Sequence, residues 1–229
     1  MEYPHNRPYT ADDLVRIITH LRDPVNGCPW DKVQTHTSIR MNFLEEAYEA
    51  VDALDLDDPV LMCEELGDVL MQVAFHTCME QETGRFTWEQ VCDGVCQKLI
   101  ERHPNIFGTQ PGYEGITDWD ALKNKEKGRR TLADDLESVP RAMPALMRAA
   151  KLQKRAARHG AALQGADAAA LAAAAENLQT AQPASAQAEQ AVGELLFAAA
   201  NLARQAGVDP EQALQKANEA FCSAAGPVA

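Results

Sequence analysis

An all-α fold is predicted by three observations. Apolar residues recur at helical spacing through most of the 229 residues. The breaks between those stretches carry Pro, Gly or Asp-Pro. No stretch alternates apolar with polar residues as a half-buried strand would. Helices are expected near 10–22, 37–55, 59–82, 87–102, 118–127, 141–158, 166–179, 187–206 and 210–222. The first sets Leu14, Val15, Ile17, Ile18 and Leu21 among charges, an amphipathic pattern that stops at Pro24 and Gly27. The second has Phe43, Leu44, Ala47, Val51 and Leu54 as its inner stripe, and Asp58-Pro59 opens the third. Gly84 closes the third helix, and the fourth carries Cys92 and Cys96 on one face, expected as free buried thiols. The segment from His103 to Gly115, with its Pro, Gly and Asn, is expected as an ordered loop. Beyond it, Pro140, Gly160 and Pro183 separate the remaining helices.

A hydrophobic content of 46% supports a packed core. No stretch resembles a membrane span or a secretory signal. The six cysteines form no compact framework, so a reducing cytoplasm is the expected compartment. The net charge of −13 is uneven: residues 1–128 hold 24 acidic and 11 basic residues (11 − 24 = −13), residues 129–229 hold 10 of each. An acidic field repels polyanions, which argues against nucleic-acid binding. A domain so charged needs a metal to hold a phosphorylated substrate.

The acidic residues are patterned. Leu44-Glu45-Glu46-Ala47-Tyr48-Glu49 and Glu64-Glu65-Leu66-Gly67-Asp68 fall on the second and third helices. Glu46 with Glu49, and Glu65 with Asp68, are each three residues apart and so share a helix face. In the third helix Glu65, Asp68, Gln72 and His76 make one narrow polar row through an apolar surface. If the two helices pack antiparallel, four carboxylates converge, and a divalent cation is the usual remedy for their repulsion. The ligand types are hard oxygens with no Cys or His at zinc spacing, which suits magnesium, manganese or calcium, and the loop pattern of calcium sites is absent. His76 is expected as a half-buried neighbour rather than a ligand.

Glu45-Glu46-x-x-Glu49 followed by Glu65-x-x-Asp68 resembles the signature of the MazG nucleoside triphosphate pyrophosphohydrolases. Gly27-Cys28-Pro29-Trp30-Asp31, Gln34-Thr35-His36, Gly84-Arg85-Phe86 and Arg102-His103-Pro104 agree with it. So do Val139-Pro140 and Pro144 through Arg148 into Lys154-Arg155, which resemble the connector of tandem members. The resemblance implies an all-helical bundle and Mg2+-dependent cleavage of a nucleoside triphosphate to monophosphate and pyrophosphate. Mn2+ is a possible substitute, and the expected assembly is a homodimer. Glu46, Glu49, Glu65 and Asp68 are then the metal ligands, while Glu45 either orients water or faces solvent.

Lys98 and Arg102 stand at (i, i+4), either a solvated edge or a phosphate grip. The resemblance selects the grip, although Glu101 replaces an Arg found in some relatives. Trp119 is expected either to stack on a base or to dock its helix. Trp30 and Asp31 are expected to pack and cap the turn before the catalytic helix, and Lys32 to approach phosphate.

The second half reads as a worn copy of the first. Val192-Gly193-Glu194-Leu195-Leu196-Phe197 lines up with Leu66-Gly67-Asp68-Val69-Leu70-Met71. In that register Glu65 corresponds to Ala191, Asp68 to Glu194, and the first acidic pair falls in the alanines of 168–175. The expected organisation is a catalytic domain over 1–128, then a connector and degenerate, structural repeat over 129–229 that is inert toward nucleotides. Two other functions stay open on sequence alone. One is a non-catalytic nucleotide sensor or scaffold, and the other a pyrophosphatase specialised for one nucleotide such as dUTP or dCTP.

Overall fold

The computed structural model describes residues 7–104, 106–108, 124 and 126–226. All its regular elements are helical, and the chain divides into two compact units, Met1–Ile116 and Thr117–Ala229. The division precedes the boundary expected after residue 128.

In the first unit the helices are α1 (Ala11–Leu21), α2 (Arg40–Asp55), α3 (Pro59–Glu82) and α4 (Trp88–Arg102), with a 3-10 turn at Asp31–Val33. Their starts are written locally. Thr10 and Asp13 form a capping box at α1, and Thr87 and Gln90 form another at α4. Asp58 caps α3 through Val60 N and Leu61 N, with Pro59 in the first turn where its missing N–H costs nothing. At Thr35 and Ser38 each backbone N–H bonds the other's hydroxyl, which holds off the start of α2 until Arg40. Gly84, at φ +70°, ends α3 in the left-handed region.

The central element is α3, which packs against α1, α2 and α4. Its C-terminal half carries the core: Ala74, Phe75, Cys78 and Met79 meet Val15, Ile18, Ile39 and Trp88. The buried Arg22 closes one end of this core. Its guanidinium grips Glu82 (2.6 and 2.8 Å), donates to the carbonyls of Asp31 and Gln34, and lies over the Phe75 ring. Gly27 allows the neighbouring turn, because a Cβ there would stand 2.4 Å from the carbonyl oxygens of Leu21 and Asp23.

The α2–α3 hairpin corrects the expected inner stripe. Ala50 and Ala53 are buried, while Leu44, Val51 and Leu54 are exposed together with Tyr48, Leu66 and Leu70. Small residues bring the two helices together, and the larger apolar ones face outward. Cys78 is the buried thiol; Cys92 is half-buried, and Cys96 is exposed rather than buried.

The second unit holds α5 (Leu132–Glu137), α6 (Ala145–Arg158), α7 (Ala168–Thr180), α8 (Ala186–Gln205) and α9 (Pro210–Ala225). Six residues are too few for a periodic signal, so α5 was not expected from sequence. The helix expected over 118–127 lies outside the described residues except at 124, 126 and 127, and the loop before it is described only at 103, 104 and 106–108. The core of this unit is mostly alanine: Ala156, Ala166, Ala174, Ala191, Ala198 and Ala200 are buried beside Val139. Buried amides knit it, with Gln153 Nε2 donating to the Phe197 carbonyl at 2.7 Å and Asn201 Nδ2 to the Ala166 carbonyl at 2.6 Å. A second knot is ionic. Asp135, fully buried, receives Arg155 (3.0 Å), Arg158 (2.6 Å) and His159 (3.1 Å), while Arg155 also donates to Ser138. No helix among the described residues is long and apolar enough to cross a membrane.

Candidate active site

The two faces that hold acidic residues meet across the α2–α3 hairpin. Oxygens of Glu46, Glu49 and Glu65 lie within 4.8 Å of one another. Asp68 stands outside that triplet, yet close enough for its charge to act on both Glu46 and Glu65. Glu45 is exposed and is not one of the converging carboxylates.

Burial pushes the Glu46 carboxyl above the usual carboxylate range. The charges of Asp68 and Glu49 act the same way, against a hydrogen bond donated by Gln72 Nε2 at 3.4 Å. Glu65 is raised too, by desolvation first and then by Glu64, Asp68 and Glu46. The other amide atom of Gln72, Oε1, is buried and without a hydrogen-bond partner. Hard oxygen donors, mutual repulsion and an orphaned polar atom together fit a hard divalent cation better than they fit solvated acids.

The polar row of α3 runs farther than the sequence reading carried it. Glu80, one turn beyond His76, is buried and pairs with Arg85 at 2.7 Å and with His36 Nε2 at 2.5 Å. The other ring nitrogen of His36 meets His76 Nδ1 at 2.7 Å, and Phe43 packs edge-on to His76. Desolvation lowers the His76 pKa, the nearby His36 lowers it further, and Glu80 opposes both. The signal for Glu80 was present, because 65, 68, 72, 76 and 80 keep helical spacing. Spacing alone does not show that Glu80 is buried or what it pairs with.

Lys98 is exposed and Arg102 half-buried on the last two turns of α4, and Trp119 lies outside the described residues. Trp30 is 57% exposed, so it does not pack within the chain as expected. The Gly27 turn and Arg22 hold the backbone here and leave the indole outside. The 3-10 turn begins without a side-chain cap, and Asp31 contributes its carbonyl to Arg22 instead. Lys32 Nζ reaches the Pro24 carbonyl at 3.4 Å.

Comparison with known proteins fits this geometry. Residues 34–107, which contain the whole carboxylate cluster, match the MazG nucleotide pyrophosphohydrolase domain. A nucleoside triphosphate pyrophosphohydrolase of Escherichia coli K12 is 41% identical over 227 residues, covering 92% of this chain and 83% of that protein. The chain belongs to the MazG family. The nucleoside triphosphate pyrophosphohydrolase/pyrophosphatase MazG of Thermotoga maritima is 39% identical over 212 residues, covering 92% and 82% of the two chains. The likeness to a nucleoside triphosphate pyrophosphohydrolase of Mycobacterium tuberculosis is 38% over 152 residues, 65% of this chain and 45% of that one. The acidic hairpin is thus the MazG part of the molecule, and the MazG likeness to the longer matches extends well into the second unit.

Proposed function

We propose that the first unit hydrolyses nucleoside triphosphates to the monophosphate and pyrophosphate, with Mg2+ (Mn2+ as substitute) held by Glu46, Glu49, Glu65 and Asp68. The observation that carries this reading is the convergence of Glu46, Glu49 and Glu65 within 4.8 Å across two helices, with Asp68 beside them. Bound there, a divalent cation supplies positive charge to the triphosphate and acidity to water. Gln72 fixes the rotamer of Glu46, so that one carboxylate oxygen is presented in a set orientation. Lys98 and Arg102 bind the phosphates that leave, Arg as a fork and Lys as a point charge. Water attacks the α-phosphorus, its proton passes to a carboxylate of the cluster, and the α–β bridging bond breaks to release pyrophosphate. Glu45 orients that water or stays in solvent; the variant Glu45→Gln separates the two by its turnover. Trp119 contacts the base or docks its own helix.

The chain works as a homodimer on this reading. The exposed Leu44, Tyr48, Val51, Leu54, Leu66 and Leu70 of the α2–α3 hairpin are apolar side chains that a second copy would cover. Six free cysteines accord with a reducing, cytoplasmic setting. On the same reading the second unit is a degenerate repeat, supported by the sequence register that aligns its α8 with α3. Glu194 on α8 is exposed and, among the described residues, accepts a hydrogen bond from Gln190 of its own helix at 2.8 Å. Incubation with a nucleotide panel and Mg2+ tests the whole reading. Monophosphate plus pyrophosphate in equal amounts is the expected product pair, and diphosphate plus phosphate would sink it.

A further inference from the structure

The second unit contains a cavity of about 570 Å³ that shares no residue with the acidic hairpin or with the Glu194 region. One wall is a single face of α6: Met143 just before it, then Met147, Ala150, Lys151 and Lys154 at helical spacing. The other wall is Arg204 on the last turn of α8 with the Gly207–Pro210 link into α9. Three cations therefore line one concavity, and none of them has a carboxylate within ion-pair distance among the described residues. The lone acid, Asp209, is already engaged, its Oδ1 accepting from Glu211 N and Gln212 N as the cap of α9. The neighbouring cations Arg155 and Arg158 are also spent, on Asp135. Lys151, Lys154 and Arg204 are the ones left facing open space.

Arg204 is held from behind. Its Nε donates to Asn201 Oδ1 at 3.0 Å, and Asn201, 2% exposed, is itself fixed by its bond to the Ala166 carbonyl. A buried amide that orients a cavity-lining guanidinium is the support a binding site needs and a solvated charge does not. Like charges facing one cavity repel, and an anion there relieves the repulsion. Between the cations Met143, Met147 and Val208 supply an adaptable apolar wall suited to a flat ring. The volume falls in the range of small-molecule sites.

We propose that this cavity binds a nucleotide without metal, its phosphates on Lys151, Lys154 and Arg204 and its nucleoside against Met143, Met147 and Val208. The cavity has no carboxylate cluster to hold a metal, so the site binds and does not hydrolyse. Its ligand is of the same chemical class as the substrate or product of the first unit, which makes it a place where nucleotide level can be read by the non-catalytic half.

The test is equilibrium binding of ATP and of inorganic tripolyphosphate to the full chain in EDTA. Without metal, the acidic hairpin repels polyphosphate. ATP is expected to bind, and more tightly than tripolyphosphate by about tenfold or more, from burial of the nucleoside on apolar side chains. Lys154→Glu, at an exposed position, and Lys151→Ala/Lys154→Ala are each expected to weaken ATP about tenfold or more. Helicity and the rate of Mg2+-dependent hydrolysis at saturating substrate should stay unchanged in both. Lys98→Ala/Arg102→Ala should retain the metal-free binding. No ATP binding in EDTA, binding unaffected by the α6 substitutions, binding lost in Lys98→Ala/Arg102→Ala, or equal affinity for tripolyphosphate would each overturn the proposal. Hydrolysis is assayed separately with Mg2+, so failure of the catalytic reading leaves this outcome readable.

Discussion

Glu46 is the residue on which the acidic site turns, because burial, two neighbouring carboxylates and Gln72 all act on it. Glu46→Gln keeps the shape and removes one charge. Turnover should fall about a hundredfold or more, as expected when a group that holds a metal is lost. The metal-free protein should melt no lower than the parent, and slightly higher, because repulsion is relieved. Calorimetry in EDTA beside a rate assay in Mg2+ checks both, and near-parental turnover would remove Glu46 from the site. Lys98→Ala/Arg102→Ala should raise KM and lower kcat while leaving Mg2+ binding in place, which titration of the metal against each variant can read. The acidic pattern was legible in the sequence because helical geometry relates residues three apart, and Glu46, Glu49 and Glu65 do converge, with Asp68 outside that triplet. Glu80 keeps the same spacing, but its pairing does not follow from it, because His36 and Arg85 reach it from outside its own helix. Glu80→Gln should lower the melting temperature by a few degrees, since the buried carboxylate that the exposed Arg85 and the half-buried His36 share is replaced by a neutral amide. An unchanged melting temperature would mean that the network is ornamental.

At the scale of elements, the helix boundaries were readable wherever a cap is local. Thr10, Asp58, Thr87 and Asp209 each stand at the start they announce. The faces were less readable. Ala50 and Ala53 are buried while Leu44, Val51 and Leu54 are not, since close helix approach rewards small side chains and hydropathy alone does not register that. The shortest helix, α5, was invisible for want of length, yet it carries the Asp135 knot. Burial alone would push the Asp135 carboxyl up. Hydrogen bonds from Arg158, Asn124 and His159 and the charge of Arg155 outweigh it, so the net direction is down. The sign follows: the folded state holds its proton less tightly than the unfolded chain. The stabilisation is full above the ordinary Asp value of about 3.9 and is lost as pH falls through the lower folded value. Acid titration followed by circular dichroism should therefore show loss of second-unit helix below about pH 4. Asp135→Asn should flatten that transition and cost about 3–5 kcal/mol at neutral pH, because Arg155 is left buried without its partner.

For the whole molecule, the division of labour makes its own prediction. Glu194→Ala should leave hydrolysis within about a few-fold of the parent, since among the described residues its hydrogen bond is to Gln190 on the same helix. A collapse of activity in a well-folded Glu194→Ala protein would bring the second unit into the catalytic site. The proposed repeat rests on the sequence match at the Gly, Leu-Leu-Phe stretch, whereas the cationic cavity leaves no mark in the sequence, because α6, α8 and α9 come together only in three dimensions.

The alanine core of the second unit has a thermal consequence. Methyl groups at Ala156, Ala166, Ala174, Ala191, Ala198 and Ala200 remove far less apolar surface from water than the Phe, Met, Ile and Trp that fill the first unit. The heat capacity released on unfolding scales with that surface. The second unit is therefore expected to have the flatter stability curve and the first the more strongly curved one. Heating should open them as separate events of unequal curvature. The half that carries the acidic hairpin is then expected to be the more temperature-sensitive one, and the alanine-cored half the steadier.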